Sequence, residues 1–527
     1  MGRHCELEVF VIVTLLAGPA LAATLRVGPG QTYAAPCAAF QAAADGDTVE
    51  IDSTGSYAGD VCAITKSRLT IRGTGTNRAH IDAAGKNAAG KGIWVVQGSD
   101  TTIENVEFSG ATVPDDNGAG IRQEGKNLTV RGCSFHDNQN GILAGDVAGS
   151  EILIEHSEFD HNGAGDGYSH NLYINHVAKL VFQYNYSHRA VVGHLLKTRA
   201  AENHILYNRL SGESDGSQSY EIDCPNGGLT YVIGNLVEQG ASTQNPAILA
   251  YFEEGAHALN PSDQLYVVNN SFVNDLGRGT FVNVGSGAAT PAVLVNNVFF
   301  GGGTLCSQTS ASLSHNYDGK ASCFVDAAAL DLHLVSGSPC VDAGVDPGVG
   351  ATVSLSPKFQ YVHPAGAEPR PTAGTLDVGA FELAPSSPSG GAPTSGGRPS
   401  AGNTGTSASG ATASGGAPAS GGRQGAGNAG TSASGASASG GAPASGGRQG
   451  AGNAGAPASG GHETGGTAGA LTGAGMSGDG SAPAPASENG CGCRLHDGGE
   501  ATAHWQYLSA LGMLATAFAL RRSRRSR

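Results

Sequence analysis

Ile205-Leu-Tyr-Asn-Arg-Leu210, Val232-Ile-Gly-Asn-Leu-Val237, Val267-Val-Asn-Asn-Ser-Phe272 and Leu294-Val-Asn-Asn-Val-Phe299 are four settings of one pattern. An apolar residue, a central Asn and a second apolar residue recur at fixed offsets. Earlier copies centre on Cys133, Ser157 and Asn185, so five of the seven central residues are Asn. Successive centres lie 24, 28, 23, 27, 35 and 27 residues apart. Short strands repeating at this period mark a solenoid. The Asn column predicts side-chain amides stacked coil above coil, each donating to the next carbonyl. Cys133 falls in the same inward column and reads as a small apolar filler.

Working outward, a second strand precedes each column. Examples are Gly141-Ile-Leu-Ala, Asn171-Leu-Tyr-Ile, His194-Leu-Leu-Lys, Ser219-Tyr-Glu-Ile and Ile248-Leu-Ala-Tyr. A circuit of this length with three short strands fits an all-β, single-stranded, right-handed parallel β-helix. A leucine-rich repeat is disfavoured because no LxxLxLxxN series recurs. Pro36 to Ala44 reads as a short amphipathic helix, and with the strand ending at Ile51 it would cap the open end of the solenoid.

The chain divides into four segments. Residues 1–22 carry the apolar run Val9–Ala17 and the small-residue site Ala20-Leu21-Ala22, the pattern of a signal peptide. Residues 23–383 hold nearly all the Ile, Val, Phe and Tyr and form the β-helix domain. Residues 384–490 are Gly, Ala, Ser, Pro and Thr, with a 25-residue unit repeating at Arg398, Arg423 and Arg448. Such a segment cannot bury enough surface to fold and reads as a disordered linker, with a reach on the order of 50–60 Å. Residues 491–527 run from Cys491-Gly-Cys493 through an apolar helix, 505–520, to an arginine cluster ending at Arg527. The two ends of the chain together lead us to expect an exported protein, and a monomer is expected.

A formal net charge of −15 argues against a nucleic-acid partner, whose phosphates need a basic surface. Of ten cysteines, Cys37 with Cys62 and Cys306 with Cys323 flank the two ends of the repeat region and are the expected disulfides in an exported chain. No cysteine pair has zinc-type spacing.

Residues 23–383 resemble the pectate-lyase-like right-handed β-helix superfamily. The resemblance rests on the opening cap, the Asn ladder and the closing motifs Ser338-Pro-Cys-Val-Asp-Ala-Gly344, Pro369-Arg-Pro371 and Leu376-Asp-Val-Gly-Ala-Phe-Glu382. The closing motifs look like the end of bacterial surface β-helix proteins. The Cys, apolar helix and Arg order is similar to the myxobacterial C-terminal sorting signal, which implies a protein at the bacterial cell surface or outer envelope, anchored through its C-terminal segment or released after processing near Cys491 and Cys493, with the envelope sorting machinery as a partner.

Alternation along the strands then places a patch on the exterior. With His170 aligned on His194, Tyr173 lies beside Lys197 and Asn175 beside Arg199. In the next coil Tyr220 and Ile222 face inward, and Glu221 and Asp223 continue the two outer columns. Tyr251 and Glu253 lie beyond. The resemblance implies polysaccharide chemistry: lyases of this fold cut uronate chains by β-elimination, with a cation on the carboxylate, a base for the C5 proton and an acid for the leaving oxygen. On that reading Lys197 is the base, Tyr173 or Arg199 the acid, and His194 belongs to the catalytic group. Glu221, Asp223 and Asn175 would hold Ca²⁺, and His170, Tyr251 and Glu253 would line the substrate site.

Other readings compete. Lys197–Glu221 and Arg199–Asp223 would also serve as structural cross-strand ion pairs. Histidines 136, 156, 161, 170, 176, 188, 194 and 204 invite a metal reading through His170 and His194. Asp160, Asp166 and Asp215 invite a glycosidase reading. The 35-residue interval inserts a loop, Glu253 to Asp263, directly after the patch. A non-catalytic adhesin, a glycan-binding protein or a structural envelope protein are the alternatives to an enzyme.

Overall fold

The computed structural model describes residues 21–384 except 256, 320–322 and 373. The expected signal peptide up to residue 20, the expected linker, Cys491, Cys493 and the helix expected over 505–520 lie outside the described residues. Among the described residues no helix is long and apolar enough to cross a membrane.

Three long parallel sheets wind along one axis, and successive strands visit them in turn. Sheet A has twelve strands, from Thr24–Val27 to Ser312–Ser314. Sheet B has ten, from Cys62–Ile64 to Thr304–Cys306. Sheet C has ten, from Ala79–Asp82 to Tyr317–Gly319. This is a right-handed parallel β-helix, the hand that parallel crossovers favour.

The A-to-C corner shows why the central Asn recurs. The residue before each ladder position takes a left-handed backbone: Gly132, His156, Tyr184, Tyr207, Gly234, Asn269 and Asn296 have φ between 50° and 69°. That bend turns the next backbone N–H inward, and an amide of the following coil receives it. Asn185 N–H donates to Asn208 Oδ1 (2.8 Å), Asn208 to Asn235 (2.9 Å), Asn235 to Asn270 (2.9 Å) and Asn270 to Asn297 (2.9 Å). The run gains a further rung at Asn316. A second amide ladder lies at the C-to-B corner, where Asn138 donates to Asn162 and Asn162 to Asn171. It has no fixed sequence spacing and was not legible in the repeat.

Inside, aromatic rings stack coil on coil. Phe40 of the cap helix Pro36–Ala42 meets Trp94 at 5.0 Å, and Trp94, Phe108, Phe135 and Phe159 follow at 4.9–5.1 Å. The Cys37–Cys62 disulfide ties this cap to the first strand of sheet B. At the other end the expected Cys306–Cys323 pair is replaced by Cys323–Cys340. Cys306 is free on the last strand of sheet B, whereas Cys323 opens an antiparallel hairpin that packs with Cys340 into a separate core. Cys133 is free and fully buried.

The chain after Cys323 turns back over the outside of the solenoid. Phe324, Leu332, Tyr361, Val378 and Phe381 cover Leu236, Val273 and Val298 on sheet C, and Leu355 covers Tyr207, Tyr231 and Ile233 on sheet A. Neither of these two apolar clusters includes a residue of sheet B.

Candidate functional site on the outer face of sheet B

One outward column of sheet B reads Arg122, Leu143, Tyr173, Lys197, Asp223, Ala250, Asn283. The Tyr173–Lys197 row is where 24-residue spacing puts it. The next row is not: Lys197 opposes Asp223 rather than Glu221. A longer turn displaces the register by two residues, which preserves the face and changes the row.

The centre of the site is buried despite lying outside the solenoid. Lys197 is 1 % exposed, Asp223 4 %, Tyr173 7 % and Arg199 8 %. Lys197 Nζ lies 3.5 Å from Asp223 Oδ2 and 5.6 Å from the centre of the Tyr173 ring. His194 Nε2 lies 3.4 Å from the same Asp223 oxygen. Tyr220 N–H donates to His194 Nδ1, so the neutral ring carries its proton on Nε2, facing the carboxylate. His170 stacks on His194 at 4.3 Å, and its Nδ1 accepts the His194 backbone N–H. Burial, then the nearby Lys197 and Arg199, hold His170 well below the usual imidazole range; burial and the same neighbours do so for His194. The pair is a neutral stacked platform, with a bond inside the stack occupying His170 Nδ1. Burial raises Asp223 to about 6 against the opposing pull of Lys197.

Arg199 reaches three partners. Its fork pairs Glu254, its Nε donates to Tyr173 Oη (2.9 Å), and Nη1 donates to Asn226 Oδ1. Burial raises the Glu254 carboxyl, but the Arg199 hydrogen bond together with the charges of Arg199 and Lys197 keeps the group below its ordinary range. Glu254 belongs to the inserted loop. Asn260 of that loop donates to the Arg199 and Ala200 carbonyls. The insertion therefore docks on the patch. Glu253 sits on the rim, accepting from Tyr220 Oη (3.1 Å) and Asn283. Glu254 and Asn226 were not identified from the sequence; the length of the insertion was the available signal.

Several expected residues lie elsewhere. Tyr251 is fully buried in the core, its hydroxyl donating to Gly228 O. It pairs with Cys224, and an odd offset from the Asp223 row turns it inward. Tyr220, expected inside, points its hydroxyl to the rim. Glu221 is fully buried in the corner against sheet C, where Gln218 and Gln239 donate to it. Burial raises it well above the carboxylate range. Asn175 accepts the His176 backbone N–H. Glu221, Asp223 and Asn175 thus share no partner and do not form the expected Ca²⁺ ligand set. The cross-strand pairs Lys197–Glu221 and Arg199–Asp223 are replaced by Lys197–Asp223 and Arg199–Glu254.

A second polar patch lies on sheet C. His161 and Arg189 each meet Asp160 and Asp215, whereas Asp166 caps the local turn at Tyr168 and Ser169. His188, 3 % exposed, stands 3.5–3.6 Å from Glu158, Asp160 and Glu213. Burial, followed by Glu238, Asp215 and Asp160, raises Glu213 from 4.5 to about 7. The folded state therefore binds this proton more tightly than the unfolded chain. The resulting stability is present below about pH 4.5 and is lost as pH rises through about 7. Glu213→Gln is expected to flatten the loss of melting temperature across that window, removing a pH-dependent term on the order of 2 kcal/mol. Melting curves of both proteins from pH 4 to 8 check this.

The family described as "Right handed beta helix region" matches residues 69–237, which include the Tyr173, Lys197 and Asp223 strands. Among solved structures, the crystal structure of pectate lyase Pel9A aligns with a TM-score of 0.41 and 14% identity, covering 68% of this chain and 97% of that one. No curated protein matches the sequence. The matched family describes the fold, a right-handed parallel β-helix running through the residues of the site.

Proposed function

We propose that the outer face of sheet B is a carbohydrate site and that the protein cuts an anionic extracellular polysaccharide by β-elimination. The observation that carries this reading is the buried Lys197, flanked by Tyr173, Asp223 and neutral His194 on the exterior of a solenoid. Burying an ammonium and a carboxylate is costly, and a salt-bridged pair of this kind is seldom retained for stability. Perturbed titratable groups gathered in one place are the usual mark of a working site.

In the reaction Lys197 is the base that takes the C5 proton of a uronate. The C4–O bond then breaks, a C4–C5 double bond forms and Tyr173 returns a proton to the leaving oxygen. Arg199, held by Glu254, fixes the Tyr173 hydroxyl. Arg122, three rows away in the same column and about 14 Å off by strand spacing, would receive a neighbouring carboxylate.

The test is a panel of polyuronates, followed by the ultraviolet absorbance of unsaturated ends, with calcium and with chelator. Lys197→Ala is expected to lower turnover at least about a hundredfold. No absorbance on any polyuronate would sink the reaction. One observation favours a second reading: Lys197 and Arg199 are nearly inaccessible, and the Arg199 fork is fully engaged by Glu254. A static network of this kind suits a non-catalytic adhesin, which glycan binding without turnover would identify.

Export and display rest on residues 1–22 and 384–527. We propose that cleavage leaves Ala23 as the new N-terminus and that the Cys491-Gly-Cys493 motif marks a second processing point. Mass spectrometry of peptides from the cell surface, finding intact residues 1–22, would refute the first.

A further inference from the structure

Three neighbouring strands of sheet C, Ala79–Asp82, Val106–Ser109 and Ser134–His136, bring His80, Glu107 and His136 together on the outer face. His80 and Glu107 share a row, and His136 stands one row along the next strand. His136 Nε2 is 3.1 Å from Glu107 Oε1, and His80 Nε2 is 3.7 Å from that oxygen. One donor atom from each residue falls within 4.8 Å of the others. A tetrahedral ion with bonds near 2.0–2.1 Å holds its ligands about 3.4 Å apart, so two of the three separations already bracket the required value.

Two further features point the same way. His136 Nδ1 lies 2.8 Å from Asp137 Oδ2. A carboxylate there orients the ring as it does in metal-binding imidazoles, leaving Nε2 as the nitrogen a metal would take in exchange for its present hydrogen bond to Glu107; His80 Nε2 would likewise exchange its 2.7 Å bond to Ser109 Oγ. His80 and Glu107 also line a polar cleft of about 640 Å³ whose wall includes Thr76, Asn77, Arg78 and Asn105. Three protein ligands beside an open cleft leave a coordination position for water or a ligand oxygen.

We propose that His80, Glu107 and His136 bind a divalent transition metal ion of the zinc class, distinct from the Lys197 site and independent of its reaction. Two imidazoles and one carboxylate suit Zn²⁺, Co²⁺ or Ni²⁺ and not Ca²⁺, which takes oxygen ligands.

The full chain, stripped with chelator, is titrated with Zn²⁺ by calorimetry and with Co²⁺ by visible absorption. Histidines elsewhere are controlled for by comparing variants. The expected result is a site of one equivalent that is lost in the His80→Ala/His136→Ala double variant. Asp137→Asn should weaken it about tenfold, and excess Ca²⁺ should leave it intact. Melting curves without metal confirm that the variants fold, which the partial exposure of all three side chains favours. Absence of Zn²⁺ binding, or binding unchanged in the double variant, would overturn the proposal. Loss of lyase activity in the polyuronate assay would leave it standing.

Discussion

Asn235→Ala is expected to lower unfolding stability by about 3–5 kcal/mol, a large part of what a domain ordinarily has. The side chain is fully buried and makes four hydrogen bonds. Its Oδ1 accepts from the backbone N–H (2.9 Å) and the side-chain amide (3.0 Å) of Asn208. Its Nδ2 donates to Ile205 O (2.8 Å) and Asn270 Oδ1 (2.9 Å). Truncation leaves a backbone donor and a backbone acceptor buried without partners, each costing about 1–3 kcal/mol, beyond the small cavity. Because solenoid coils stabilise their neighbours, the same change at Asn297, beside the partly exposed terminal rung Asn316, is expected to cost less. Urea denaturation of both variants gives the comparison. Equal, sub-kilocalorie effects would show that the ladder is a consequence of the bend and not a support for it.

Arg370→Ala should cost a similar amount, about 3–5 kcal/mol, for a different reason. Arg370 and Glu382 are 2% and 3% exposed and meet at 3.0 Å. The guanidinium also donates to the carbonyls of Asp377, Gly379, Ala380 and Phe381. This explains the closing motifs: the Pro369-Arg-Pro371 arginine gathers the Leu376 to Glu382 turn, and that turn receives Asn269 Nδ2 at Asp377 O and Gly379 O. Removing Arg370 leaves the buried Glu382 carboxylate without its counter-charge and takes the guanidinium from four carbonyls, of which Asp377 O and Gly379 O keep Asn269. The double change Arg370→Met/Glu382→Leu is expected to recover part of the loss, since it removes both charges. Hydrogen exchange should show the single variant opening first at the C-terminal segment over sheet C.

Much of the fold was legible because its determinants are local. The left-handed bend before Asn208, Asn235 and Asn270 and the amide that follows recur within a few residues, so the sequence spells them out. The site was legible only in part. The outward face of Tyr173, Lys197 and Asp223 follows from two-residue alternation, and the Tyr173–Lys197 row follows from a 24-residue interval. The interval to Asp223 is 26 residues, and nothing in the turn between them announces the extra two. Hence Glu221 was placed beside Lys197 when it is buried in the corner against sheet C. The same uncertainty over turn length put Tyr251 outside, where an odd offset seats it in the core.

By itself the sequence determined the repeating coil, its inward apolar and amide columns, and the strip of exterior on which chemistry would sit. These depend on short-range geometry that each coil repeats. The tertiary structure decided which rows oppose one another, that Cys323 joins Cys340, that Glu254 returns from an inserted loop to clamp Arg199, and that His80, Glu107 and His136 converge. Each is a contact between residues far apart in the chain. Turn lengths and the path of the returning C-terminal segment set such contacts, and no residue near either partner encodes them.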